Sequence, residues 1–238
     1  MEAIVLRTID YQDHAKLLYV YTETGIKSLI ARGVKKMNSP WRHLAQVTNL
    51  LEIDLSKGKL PTLKEAKLLD YYPTIKNDLI KQTVFNAVCE YVYYNVTDDD
   101  HHPKLFNFIK KLAKTLETSK HPLEILAIFE LKFLHFLGYS PGLKDCHQCG
   151  TKENLRYDIT IGALICAAHQ NLNHTHVSQT IYRPMQVFYR CDIQTYQPLN
   201  LDTTTQQKLN DVTTSLFEMH LGFKSKAKKV LSSLYFGG

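Results

Sequence analysis

No run of this 238-residue chain is apolar enough to span a membrane. Its most apolar stretch, Leu123 to Leu137, carries Glu124, Glu130 and Lys132. The opening residues hold no secretory signal, because Arg7 and Asp10 break any apolar core there. Without export, the Asn95-Val96-Thr97 sequon carries no consequence. The phosphate-cradling G-x-x-x-x-G-K-[ST] and the dinucleotide motif G-x-G-x-x-G are both missing. So are H-E-x-x-H and G-x-S-x-G, which removes the commonest metalloprotease and serine-hydrolase readings. H-x-E is absent too, and a zinc deaminase needs it beside its cysteine pair. There is no internal repeat and no low-complexity linker. Cysteines number five, and four positions of metal-binding type include three of them, which argues for a reducing compartment.

What is present starts with that metal pattern. Cys146-His147-Gln148-Cys149 is followed by Cys166-Ala167-Ala168-His169, giving C-x2-C-x16-C-x2-H. Two ligand pairs, each held by one tight turn and brought together by a hairpin, suit a tetrahedral zinc ion. Gly150 suits a knuckle that needs positive φ, and Gly162 permits the bend before Cys166. With no catalytic motif beside it, the site reads as a structural zinc staple. His174 and His176 follow closely, and either is an alternative fourth ligand to His169. A redox C-x-x-C pair at Cys146 and Cys149 ranks lower, since the strand-to-helix context it needs is replaced by the Pro141-Gly142 turn and a polar loop. Cys89 and Cys191 fall in apolar helical runs and read as small hydrophobes.

Hydrophobic residues make up 44% of the chain, enough for a genuine core and for two or three subdomains at this length. Five apolar or β-branched runs, Ala3–Ile9, Leu17–Tyr21, Ile26–Ala31, Val47–Leu55 and Thr62–Leu69, are separated by turn signals. They predict a small five-stranded barrel of the OB type, with an SH3-like barrel as the alternative. From Pro73 the period becomes helical. Ile75 to Val92, Leu105 to Leu116 and Pro122 to Gly138 predict three helices. Ser178 to Cys191, with Pro184 near its first turn or at a kink, Thr203 to His220, and Lys226 to Leu234 predict three more. The fold class expected is α+β multidomain: an N-terminal OB-fold barrel, then a helical domain interrupted by a zinc-finger module. The expected boundaries are 1–72 for the barrel, 73–140 with 178–238 for the helical domain, and 141–177 for the zinc module.

Net charge is +6, modestly basic and compatible with a polyanion partner. Arg32, Lys35, Lys36 and Arg42 fall in one insertion between the third and fourth strands, together with Trp41. Cations neutralise phosphates, and a flat ring stacks on a base at roughly 1–3 kcal/mol, which is what single-stranded nucleic acid needs. Lys57 and Lys59 in the next loop extend that set. The same insertion also reads as a solvated loop with Trp41 tucked onto the barrel. Lys224, Lys226, Lys228 and Lys229 form a second cluster in which 224 and 228 can face the same way. It is either a phosphate contact or a solubilising face. The Asp98-Asp99-Asp100-His101-His102 run reads as a solvated loop rather than a metal site. Phe129, Phe133, Phe136 and Leu137 read as helix core, any exposed part of which is a partner groove.

Barrel, interrupted helices and basic C-terminus, in that order, resemble the RecO family of bacterial DNA repair proteins across nearly the whole chain. The resemblance rests on Ala3-Ile4-Val5-Leu6-Arg7-Thr8 with Tyr11 and Asp13, on Tyr21-Thr22-Glu23-Thr24-Gly25, and on Ala31-Arg32-Gly33-Val34-Lys35-Lys36. Leu137-Gly138-Tyr139-Ser140-Pro141 before the first cysteine pair, and His220-Leu221-Gly222 with Lys224 and Leu231, continue it. The chain departs from the family at His169, where a cysteine is usual, and at Ala45-Gln46-Val47-Thr48, where Gln-Pro and an aromatic are common. The resemblance implies no enzymatic turnover. It implies binding of single- and double-stranded DNA, strand annealing, and action with RecR in the RecF pathway. It further implies contact with the C-terminal tail of single-strand-binding protein, loading of RecA on DNA coated by that protein, and a cytoplasmic, nucleoid-associated place. A zinc-containing protein–protein adaptor without DNA affinity, and a thiol oxidoreductase, are the competing classes.

Overall fold

A computed structural model describes residues 1–39, 41–97, 102–235 and 237. The acidic residues 98–100, His101 and Pro40 of the basic insertion lie outside the described residues. Five strands come first: β1 (Glu2–Tyr11), β2 (Ala15–Thr22), β3 (Gly25–Ala31), β4 (Leu50–Leu55) and β5 (Leu63–Asp70). Their order is β3-β2-β1-β4-β5, antiparallel throughout. The edges meet where Ile30 bridges Thr62 in parallel and its N–H donates to the Pro61 carbonyl at 2.9 Å. A fourth strand returning beside the first is the Greek-key order, and the closed five-stranded barrel it makes is the OB fold rather than the SH3-like alternative.

Alternation builds the barrel core. Ala3 and Val5, Leu18 and Val20, Leu29 and Ala31, and Leu51 and Ile53 all point inward. Ile4 and Leu6, on the other face of β1, are buried as well. Helix α2 (Leu79–Asn95) packs over them, which is why β1 reads as an unbroken apolar run. The expected fourth strand begins late. Thr48 takes a left-handed conformation (φ 80°), and the Asn49 amide donates to the carbonyls of His43 and Leu44 at 2.8 and 3.0 Å. Residues 47–49 therefore close the insertion outside the regular strand, held to β1 by the Thr48 N–H on the Val5 carbonyl at 2.9 Å and the Val5 N–H on the Asn49 carbonyl at 3.0 Å.

The single helix expected from Ile75 is two. Asp78, extended at φ −109° and ψ 115°, ends α1 (Pro73–Asn77), and its carboxylate caps α2 through the Ile80 and Lys81 N–H groups. Helix α3 (Pro103–Thr118) lies against α2 and β2, where Phe106 meets Tyr21 edge-on at 5.8 Å. These elements and residues 225–230 form one compact unit; residues 119–224 and 231–238 form a second.

In the second unit α4 (Pro122–Phe136), α5 (Gln179–Arg190) and α6 (Thr203–Leu221) pack on one another. Phe129, Phe133 and Phe217 stack in series at 5.0 and 6.2 Å, so the aromatic ridge is core at Phe129 and Phe133. Ser178 stands at the N-cap of α5 as expected, yet its hydroxyl pairs with Thr180 at 2.7 Å and does not cap the helix. Pro184 lies inside α5. A last helix, α7, runs Lys226–Tyr235. Among the described residues no helix is long and apolar enough to cross a membrane.

Candidate metal centre and nucleic-acid interface

Between α4 and α5 the chain makes a three-stranded sheet: β6 (Leu155–Asp158) lies between β7 (Ala163–Cys166) and the two-residue β8 (His176–Val177). The first cysteine pair forms a knuckle. The Gly150 N–H donates to the Cys146 carbonyl and the Cys146 N–H to the Thr151 carbonyl, both at 2.8 Å. Gly150 holds the positive φ (75°) that the turn requires. The His147 N–H reaches the Leu164 carbonyl of β7 at 2.8 Å, which brings the knuckle against the second pair. Cys166 ends β7, and His169 closes the 3-10 turn that follows it.

The four ligand atoms of Cys146, Cys149, Cys166 and His169 lie within 4.8 Å of one another. Cys149 Sγ is 3.8 Å from Cys166 Sγ, and His169 Nδ1 is 3.7 Å from Cys146 Sγ and 3.3 Å from Cys166 Sγ. Metal–ligand lengths of about 2.3 Å to sulfur and 2.0 Å to nitrogen, set on a tetrahedron, require edges of about 3.8 and 3.5 Å. The donors fit such an ion. Burial pushes the Cys146 thiol up, but N–H groups of Cys149, Cys166 and Gln148, with His169, outweigh it and bring it down to about 5. These contacts favour the thiolate form that a metal ligand requires. The Thr151 N–H draws the Cys149 thiol down, while desolvation and the neighbouring Cys146 and Cys166 leave it raised overall. His174 and His176 are engaged elsewhere. Both turn to the buried Asp158, His174 Nδ1 at 2.7 Å and His176 Nε2 at 3.3 Å from Oδ2.

The basic insertion between β3 and β4 is a series of tight turns. Lys36 donates to Gly33, Ser39 to Lys36, Arg42 to Ser39, and Leu44 and Ala45 to Trp41. It is held to the β1–β2 turn by the Lys35 N–H on the His14 carbonyl at 3.3 Å. Arg32, Lys35, Lys36 and Arg42 are exposed, as are Lys57 and Lys59 in the β4–β5 turn. Lys35 pairs with the exposed Asp10 at 3.2 Å, an interaction that contributes about 0–1 kcal/mol in water. Trp41 is half-buried and packs on the barrel core.

The C-terminal lysines do not share a face. Lys224 is exposed and paired to Glu218 at 3.0 Å, and Lys226 and Lys229 are exposed. Lys228 is 3% exposed, because its turn of α7 packs inward beside Ala227. Lys226 lines a cavity of about 490 Å³ with Arg7, Tyr93 and Tyr94, three residues outside every sequence motif of binding type. The only sequence signal was an arginine breaking the apolar run of β1 and a tyrosine pair near the end of a helix.

The class of protein that combines such a barrel, helical region and Cys3His hairpin is given by comparison with known families, and it is that of DNA recombination and repair proteins. Residues 1–72 match the family description Recombination protein O N terminal, and residues 76–229 match Recombination protein O C terminal. The chain belongs to the RecO family. Relatives named DNA repair protein RecO are similar along nearly their whole length. The one from an Exiguobacterium species is 25% identical over 97% of this chain and 94% of its own. That of Halalkalibacterium halodurans is 24% identical over 98% and 94%, and that of Bacillus cereus 24% over 98% and 96%.

Proposed function

We propose that the protein is a non-catalytic recombination mediator that binds and anneals DNA strands. It acts with RecR in the RecF pathway to load RecA onto single strands coated by single-strand-binding protein, whose C-terminal tail it contacts. Residues 1–72 serve as the strand-binding barrel, and 141–177 as a zinc-stapled module within the helical domain of 73–140 and 178–238. The observation that carries the reading is the insertion of residues 32–42, where Arg32, Lys35, Lys36 and Arg42 all reach solvent from one rim of an OB barrel. Lys57 and Lys59 lengthen the track, and Lys224, Lys226 and Lys229 supply a second one. Annealing requires two backbones to be neutralised together. Lys228 is withdrawn from that set by its burial, and Trp41 offers only its open face. Zinc, held by Cys146, Cys149, Cys166 and His169, would act as a fold-stabilising ion with no open coordination position.

The test is a fluorescence-anisotropy titration of a labelled single strand across a salt series, with zinc content assayed on the same sample. Tight binding with a steep negative salt slope is expected. Lys35→Glu with Lys36→Glu should flatten that slope by about 1.4, since each lost single-strand phosphate contact removes about 0.7. Unchanged affinity and slope in a folded double variant would remove the insertion from the interface. No binding by zinc-loaded wild type at low salt would favour the adaptor reading.

A further inference from the structure

A cavity in the first unit, bordered by Val47 at the close of the insertion, brings cations and aromatic rings together. β1 changes register between Val5 and Arg7, and such a bulge re-aims the side chains around it. Beyond it, Arg7 lies over the Tyr93 ring at 5.3 Å, and its Nη1 donates to the Tyr94 hydroxyl at 3.4 Å. Tyr93 is itself gripped edge-on between Tyr19 at 5.0 Å and Tyr94 at 4.9 Å. A guanidinium fixed in this way loses little freedom when it takes a ligand. Arg7, Tyr93, Tyr94 and Lys226 line the cavity of about 490 Å³, whose apolar wall includes Leu6 and Val47. That volume is within the range of small-ligand sites, about 300–1,000 Å³.

The charge balance favours an anion. Arg7 and Lys226 face the cavity, and so does one carboxylate, Glu90. Glu90 is already committed, accepting from the Ser225 hydroxyl at 2.7 Å and the Ala227 N–H at 3.2 Å at the start of α7. Tyr94 is 55% exposed, so its ring offers a stacking surface beside the two cations. A phosphate-binding pair next to a partly exposed aromatic ring is the chemistry of single-strand recognition.

We propose that this cavity takes one nucleotide of a single strand: Arg7 and Lys226 hold the phosphate, and the base stacks on Tyr94. The proposal rests on the DNA-binding reading and adds a site to it. It continues the insertion's track, since Val47, at the close of that insertion, lines the same cavity.

Single strands carrying 5-iodouracil, irradiated with the full-length protein, test it by peptide mapping. Adducts at Tyr93 or Tyr94 are expected. Tyr94→Ala should weaken strand binding at least about fivefold and Tyr94→Phe clearly less, since Phe keeps the stacking ring and loses only the hydroxyl that helps hold Arg7. Arg7→Ala should lower both affinity and salt slope, while thermal melting reports that the fold is intact. Adducts only in the 32–42 segment, with wild-type affinity for Tyr94→Ala, would overturn the site while leaving the DNA-binding reading in place. No binding by any form would overturn both. An acidic peptide whose binding is lost in these variants, with DNA binding unaffected, would assign the cavity to a protein partner instead and overturn the nucleotide.

Discussion

His169 and His174 are near neighbours in sequence and take different partners. His169 turns Nδ1 toward two thiols, whereas His174 gives its Nδ1 to Asp158, a buried carboxylate whose Oδ2 also lies 3.3 Å from His176 Nε2. Loss of an outer partner of a metal site costs roughly 10–100-fold in affinity, and loss of a ligand more. His169→Ala should therefore lower zinc affinity beyond that range, as should Cys166→Ser, and His174→Ala should leave it within about threefold of wild type. Competition with a colorimetric chelator measures all three. Equal losses at His169 and His174 would mean that the ligand set differs from the one assigned. The cysteine spacing made this quartet legible in the sequence, because two x2 pairs leave few geometries. The choice of histidine was not legible, since it depends on Asp158, which reaches His174 only after β6 has paired with β8.

At the scale of elements, the short α1 depends on another helix for its start. Glu117, near the end of α3, accepts from the Thr74 and Ile75 N–H groups at 2.7 and 2.9 Å. Desolvation pushes its carboxyl up, but those two N–H groups and Lys81 outweigh it and hold it below the usual carboxylate range. A carboxylate with a depressed native pKa stabilises the fold above its unfolded value, and that contribution is lost as pH falls through the native one. Glu117→Gln should cost ~1 kcal/mol at neutral pH, the usual worth of a cap. The gap between variant and wild type should close as pH falls below about 4, where the unfolded carboxyl protonates. Urea denaturation at the two pH values checks it, and a gap that stays constant would show that the charge plays no part. Hydrophobic period made the long elements readable: β1–β3 and α3 lie within a few residues of their expected spans. It could not reveal β8, which is two residues long and exists only through its pairing with β6, nor the Asp78 break, where one cap outweighs a continuous apolar face.

For the molecule as a whole, the two units differ in what holds their β-structure together. The barrel has its own core, with eleven buried residues in one cluster. The zinc hairpin has three, Cys146, Ile165 and Cys166, with Leu155 and Ile161 against them. Two of those three are proposed ligands, so the ion would anchor the knuckle side of the hairpin, while Tyr157, Ala163 and Leu164 are buried independently of it. Long-range assembly is also what hid the Arg7 cavity: residues 7, 94 and 226 meet only once barrel, α2 and the start of α7 have packed. Structural zinc contributes on the order of 10–16 kcal/mol of apparent binding energy in small fingers, which exceeds anything so small a cluster supplies. Chelation should therefore act locally. Amide hydrogen exchange should accelerate in β6, β7 and the Cys146 knuckle, while β1 to β5 keep their protection, because local opening follows local contact. Equal loss of protection across the barrel would show that the ion supports the entire fold. Unchanged exchange in β6 and β7 after complete zinc removal would show a hairpin that closes without metal, and the quartet would then lose its structural role.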